Sequence, residues 1–249
     1  MFYEQYLKIN PIHIDKEIIS GDDLAEIILN SADVCDGDIL VIAQKIISKQ
    51  EGRLVELSTV NPSLLSEGIS SQYKKDPRVV ELVLSESKRI VRMKNGLIIT
   101  ETKNGFICAN SGIDESNVVN GFATLLPLNS DESAEQLRKE IFNKTGKTVA
   151  IIISDTFGRP FRMGQTNCAI GISGLQPILD YSGTFDSFNR MLRVTAIAIA
   201  DELSSAAELV MGKTTKCPVV IIRNYSFNSD KHSIPVSYTH LTLPTIPLV

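Results

Sequence analysis

The 249-residue chain has no tryptophan and only three histidines, His13, His232 and His240, which argues against catalysis by a histidine base or a histidine-rich metal site. Aromatic residues make up 6% of the chain, too few for a surface on which RNA bases stack. The formal net charge of −4 argues against broad electrostatic binding to nucleic acid, so any phosphate site has to be a local pocket. Four cysteines, Cys35, Cys108, Cys168 and Cys217, are scattered without a CxxC, which argues against disulfides and zinc. No GxxxxGK[ST], no GxGxxG after a strand and no GxSxG is present. No apolar run approaches the roughly 20 residues that span a bilayer. The opening "MFYEQYLKINPIHID" lacks the basic start and continuous apolar core of a signal peptide. The expectation is a cytoplasmic protein with neither membrane nor nucleic acid as partner. Its chemistry must run on carboxylates, hydroxyls, lysines and arginines.

What is present reads as helix–strand alternation with hairpins. "SGDDLAEIILNSADV" predicts a helix with Ser20 or Asp22 as N-cap and Leu24, Ile27, Ile28 and Val34 on one face. An apolar strand from Ile39 to Ile42 follows, then an extended polar segment carrying Lys45 and Lys49. Residues 89–109 read as two or three short strands broken by Asn-Gly pairs at 95–96 and 104–105, a strong hairpin signal. "NSDESAEQLRKEIFNKTGK" predicts a helix capped by Ser130 or Ser133 and closed by Gly146. "NCAIGISG" and "CPVVIIR" read as strands, and "VTAIAIADELSSAAELVMG" as a long helix. The expected fold is α+β, with mixed or antiparallel sheets and packed helices. It forms one domain over 1–234, with two interleaved α+β subdomains as the alternative. The stretch 235–249, "PVSYTHLTLPTIPLV", has no helical period and three prolines, and reads as a foreign or disordered tail replacing the natural C-terminus.

The stretch "VAIIISDTFGRPFRMG", residues 149–164, carries the sharpest chemical signal. A run of buried strand formers from Val149 to Ile153 gives way to Asp155 and Thr156, with Arg159 and Arg162 shortly after. Asp114 follows the apolar strand "GFICAN" in the same way. Mg²⁺ and Mn²⁺ take oxygen ligands and often need only one or two carboxylates, with phosphate and water completing the shell. Thr156 would add a hydroxyl and Asn117 an amide for a nucleotide. The plain alternative is that both aspartates cap turns. Guanidinium forks near a metal-binding carboxylate suit phosphoryl chemistry, and Gly158 lets backbone approach a ligand. Lys45 and Lys49, four residues apart, are expected to point the same way.

Taken in order, "GDILVIAQKIISKQEGR", "NSGIDESNV", "IIISDTFGRPFRMG" with "AIGISG", and "ELVMGK" followed by "PVVIIR" resemble the coenzyme F420 γ-glutamyl ligase family. The resemblance implies an intertwined α+β homodimer. It implies attachment of L-glutamate to the carboxylate of the deazaflavin F420 precursor at the expense of GTP, with further γ-linked glutamates added in some members. It implies two divalent ions, Mg²⁺ or Mn²⁺, with K⁺ as a further cation. Carried over by position, it gives the metal to Asp114 and Asp155 and a second cation to Thr156. Gln44, Lys45, Lys49, Asn117, Met211, Gly212 and Lys213 fall on nucleotide contacts, and the run from Asp15 to Ile18 on a further one. Lys49 and Arg159 are the candidates for stabilising the transferring phosphoryl group. Two departures stand out. Lys213 replaces an acidic or amide side chain found in some relatives, and Asn189 stands where a glycine is expected before Arg190. The rival readings are an amide ligase for another carboxylated cofactor and a nucleotide-binding protein without turnover.

Overall fold

A computed structural model describes residues 6–159 and 161–227; the predicted tail over 235–249 lies outside them. In chain order the elements are β1 (Lys8–Ile12), α1 (Leu24–Ser31), β2 (Ile39–Ala43), α2 (Gln44–Gln50), β3 (Leu54–Glu56), α3 (Leu64–Tyr73), α4 (Pro77–Ser85), β4 (Ser87–Lys94), β5 (Leu97–Thr102) and β6 (Ile107–Ala109). There follow β7 (Phe122–Thr124), α5 (Ser130–Thr145), β8 (Ala150–Gly158), β9 (Gln165–Ser173), β10 (Leu179–Asp180), β11 (Ala196–Ile197), α6 (Ile199–Met211) and β12 (Val219–Arg223). The fold is α+β, as the helix–strand alternation predicts.

The main sheet has the order β1-β12-β2-β8-β9, with β2 and β8 parallel and every other pair antiparallel. Ile39–Ile42 and Ala150–Ile153 are fully buried, as expected of central strands covered on both faces by helices. Helices α5 and α6 both pack on β8 and β9. Edge strand β9 would otherwise offer free N–H groups. Asp131 of α5 accepts from Ile172 N–H at 2.8 Å, and Asp201 of α6 from Ala169 N–H at 2.9 Å. Gly171, between them, is a forced glycine: a Cβ there would lie 2.4 Å from the Ser130 carbonyl oxygen, so α5 could not seat on β9.

A smaller core of Leu57, Ile69, Val80, Leu82, Val83, Ile98, Ile113, Ala123 and Leu125 lies under α3, α4, β5 and β7. The predicted Asn-Gly hairpins are here, as the antiparallel sheet β4-β5-β6. Phe106, from the loop between β5 and β6, reaches into the large core and packs edge-on against Phe157 of β8, centroids 6.3 Å apart. Helix caps sit close to the predicted ones but not on them. Asp23 rather than Ser20 or Asp22 caps α1, and Asn129 rather than Ser130 or Ser133 caps α5. In both, the true cap is the carboxylate or amide that reaches an N–H three residues on, at 2.8 and 3.3 Å. Gly146 closes α5 in the left-handed conformation, as predicted. Among the described residues no helix is long and apolar enough to cross a membrane.

Candidate active site at the seam of the two lobes

Two local departures from the sequence reading decide how the site is built. Strand β8 does not end at Ile153, because its pairing with β9 runs on to Gly158 opposite Gln165. Asp155 and Thr156 therefore lie inside a strand, opposite Cys168 and Asn167, just after a bulge in which Ile170 has no partner. Such a bulge locally twists the strand and re-aims its side chains. The segment carrying Lys45 and Lys49 is helical rather than extended, because Ile46 and Ile47 bury themselves under it. Spacing of i, i+4 on a helix still places the two lysines on one side.

Helix α2 spans the seam. The Lys45 ammonium donates to Asp114 Oδ2 at 2.8 Å and to Ser116, through its carbonyl at 2.7 Å and its hydroxyl at 2.9 Å. Lys49 donates to the Asn117 carbonyl at 2.9 Å and to the Glu17 carboxylate, which draws the 15–18 run to the same place. Gln44 is buried, with its amide on Ser48 Oγ at 2.5 Å and on the Leu125 carbonyl at 3.2 Å. Asn117 is exposed and adopts a left-handed backbone at φ 53°. Asp114 also accepts from Ser116 N–H at 2.7 Å, so the turn-capping role and the site role coexist in one carboxylate.

Asp114 and Asp155 lie near enough for their charges to act on each other. Burial pushes Asp155 up to about 6, and the Asp114 charge adds to the rise; the Thr156 N–H, Lys213 and Lys45 oppose it. Burial also works to raise Asp114, but Lys45 and the Ser116 donors outweigh it and hold the carboxyl below the usual range. One carboxylate is thus already paired with a cation and the other is short of one. Cys108 and Cys168 border Asp155. Burial pushes both thiols up to about 12, with Asp155 adding, so neither is a thiolate nucleophile.

On the far side of Asp155, Thr156 Oγ1 donates to Asn167 Oδ1 at 2.8 Å and accepts from Lys213 Nζ at 2.7 Å. Lys213 also pairs with Glu208 Oε1 at 3.0 Å. It reaches Thr156 because Gly212, at φ 59° and ψ −171°, ends α6 in a conformation open essentially to glycine alone. Met211 is buried at the end of the helix. Arg159 stands apart, exposed at the end of β8 with its guanidinium on the Met163 carbonyl. Asn189 adopts the left-handed conformation at φ 61°, where a glycine is the expected residue and asparagine the usual substitute.

Ser116, Asn167 and Glu208 join the cluster without having been singled out from sequence, while Glu17 comes from the 15–18 run that was. Asn167 was within reach, since a hairpin of the two strands places it opposite Thr156. Among the described residues no group of three or more His, Cys, Asp or Glu side chains forms a metal cage. The chemistry of the donors still fits one hard divalent ion, because two carboxylates from different elements feel each other's charge and one to two are enough when substrate oxygens complete the shell. At Thr156 the hydroxyl proton is committed to Asn167 and one lone pair of the oxygen to the Lys213 ammonium.

A family model described as F420-0:Gamma-glutamyl ligase matches residues 13–224. The coenzyme F420:L-glutamate ligase of Methanothermobacter thermautotrophicus is 47% identical over 212 residues, covering 83% of this chain and 84% of the relative. That of Methanocaldococcus jannaschii is 46% identical over 230 residues, covering 90% and 92%, and that of Methanosarcina barkeri 39% over 217 residues, covering 87% and 85%. A family match over most of the chain, with relatives of this identity and coverage, leaves one conclusion: the chain belongs to the F420-0:γ-glutamyl ligase family.

Proposed function

We propose that this protein uses GTP to join L-glutamate to the carboxylate of the coenzyme F420 precursor, and adds further γ-linked glutamates where the first product re-enters the site. The observation that carries the reading is the convergence of Asp114 and Asp155 between Lys45 and Lys213, in a chain of this family. A free carboxylate is a poor acceptor for an amine. In this reading the precursor carboxylate attacks the γ-phosphorus of GTP, forming an acyl phosphate and releasing GDP. The glutamate amine then attacks the acyl carbon, the amide C–N bond forms, and inorganic phosphate leaves with the C–O electron pair.

Asp114 and Asp155 would hold a Mg²⁺ or Mn²⁺ ion, which supplies Lewis-acid neutralisation of phosphate charge. Lys45 and Lys49, on one side of α2, offer ammonium groups for the phosphates. Asn117 and the Met211–Gly212–Lys213 turn would flank the nucleotide, with Gln44 tying α2 to the Leu125 strand end. Arg159, exposed, would swing onto the transferring phosphoryl group together with Lys49. Homodimerisation belongs to the same reading. Phe185, Phe188, Met191 and Val194 are exposed on one arm, an apolar surface that a second copy would cover.

Incubation with precursor, GTP, Mn²⁺ and glutamate, read by mass, tests the proposal. Products heavier by one or more glutamyl units are expected. GDP release without that product, when another carboxylated cofactor is supplied and consumed, would move the assignment to a different acceptor. Absence of any turnover would leave a nucleotide-binding protein. Light scattering on the same preparation is expected to give the mass of two chains.

A further inference from the structure

The cluster around Thr156 contains a cation of its own. Lys213 Nζ lies between Thr156 Oγ1 at 2.7 Å and Glu208 Oε1 at 3.0 Å. A carboxylate and a hydroxyl facing one point are the donors a hard cation takes, and here they face an ammonium. The second Glu208 oxygen, Oε2, is buried without a hydrogen-bond partner, so the carboxylate is not saturated by the lysine alone. The lysine side chain is more than half exposed, but the backbone at its root is fixed. Gly212 turns the chain back from α6 at φ 59°, Met211 anchors the helix end in the core, and Asn167 orients the Thr156 hydroxyl from the neighbouring strand.

We infer that Lys213 is a built-in cation that takes the seat of a second divalent ion, so that each chain binds one divalent ion, between Asp114 and Asp155, and no second ion at Thr156. The inference rests on the phosphoryl-transfer reading above but makes a separate demand of the molecule. A fixed ammonium brings one positive charge where a divalent ion brings two, and it needs no free metal to be present. It also assigns Glu208 a role as a positioning residue: it holds the ammonium over Thr156 rather than touching substrate.

Manganese titration of the full-length protein tests this by stoichiometry and by electron paramagnetic resonance, independently of activity. Wild type is expected to bind one Mn²⁺ per chain with the six-line spectrum of an isolated ion. Thr156→Val is expected to leave that ion's affinity within about threefold, since it removes no ligand of the Asp114–Asp155 ion, whereas Asp155→Asn weakens it by about 100-fold or more. Lys213→Gln, which vacates the seat while keeping an amide oxygen, is expected to bind two ions per chain with a spin-coupled spectrum, and Lys213→Arg to stay at one. Circular dichroism on each variant confirms that it is folded. Two ions on wild type, or one ion on folded Lys213→Gln, overturns the inference while leaving the carboxylate pair as a metal site. No ion on wild type overturns both readings.

Discussion

The two lobes hold their halves of the site in different ways. In the large lobe Asp155 and Thr156 follow the buried 151–154 stretch in one continuous strand, and are locked by strand pairing to Cys168 and Asn167. In the small lobe Asp114 is half-buried and held by a single backbone bridge to Thr124, while Ser116 and Asn117 sit on the exposed loop leading to β7, near a sheet whose first strand, β4, is itself mostly exposed. The electrostatics divide along the same line. The carboxylate on the rigid side is buried without a full counter-charge and its pKa is raised. The one on the looser side arrives already paired with Lys45 from α2. A stiff, core-anchored strand can hold a group in an unfavourable environment that a loop would escape by moving. The difference explains why α2 matters: it is anchored in the large core through Ile46 and Ile47, and its lysines hold the small-lobe loop in place.

Breaking the rigid half should have the largest effect. Asp155→Asn is expected to lower metal-dependent GDP release by about 100-fold or more while the protein stays folded; unchanged turnover would remove Asp155 from the site. Next in size, Gly171→Ala forces a Cβ into the Ser130 backbone and is expected to destabilise the chain by about 2–3 kcal/mol, read as a lowered Tm. An unshifted Tm would mean that α5 does not need its close seat on β9.

The same Asp155→Asn change should stabilise the metal-free protein. The folded value, about 6, lies above the ordinary 3.8, so ionisation of Asp155 takes stability away as pH rises from about 4 through 6. With EDTA present, the variant's Tm is expected to exceed wild type at pH 7.5 by the equivalent of about 1–3 kcal/mol, with the gap closing below pH 4. On the looser half, Lys45→Met is expected to raise the Asp114 pKa, since burial then acts with less opposition; a carboxyl carbon NMR titration reads it. The part of the native stability owed to this pair is present above the ordinary carboxylate range and lost as pH falls through the depressed value, and the variant should lack it. Smallest of all, Asn189→Gly is expected to stabilise by about 0.5 kcal/mol, because the left-handed position costs asparagine something and glycine nothing.

Much of the scaffold was legible in the sequence because its cues are local. The Asn-Gly pairs at 95–96 and 104–105, the Gly146 closure of α5 and the apolar runs of β2, β8 and β12 each state their own conformation. The nearer predicted cap is off by one residue in each case, since neighbouring acids and serines compete for the same N–H groups. Two misreadings were not local. That β8 continues past Ile153 depends on pairing with β9, and that α2 is a helix depends on a core its isoleucines enter only once the sheet exists. Of the site, the aspartates and lysines could be named from residue type and motif. Glu208 and Ser116 could not, because each acts through a partner 5 or fewer residues away in sequence or across a turn whose geometry only the fold supplies.

The central claim is that one ion is shared by Asp114 and Asp155 across the seam, and a thermodynamic cycle of Mn²⁺ affinity tests it most directly. With wild type, Asp114→Asn, Asp155→Asn and the double variant titrated side by side, the account predicts that each single change removes most of the affinity and that the double change costs little more than either alone. Additive losses, or a full-affinity site in either single variant, would contradict it.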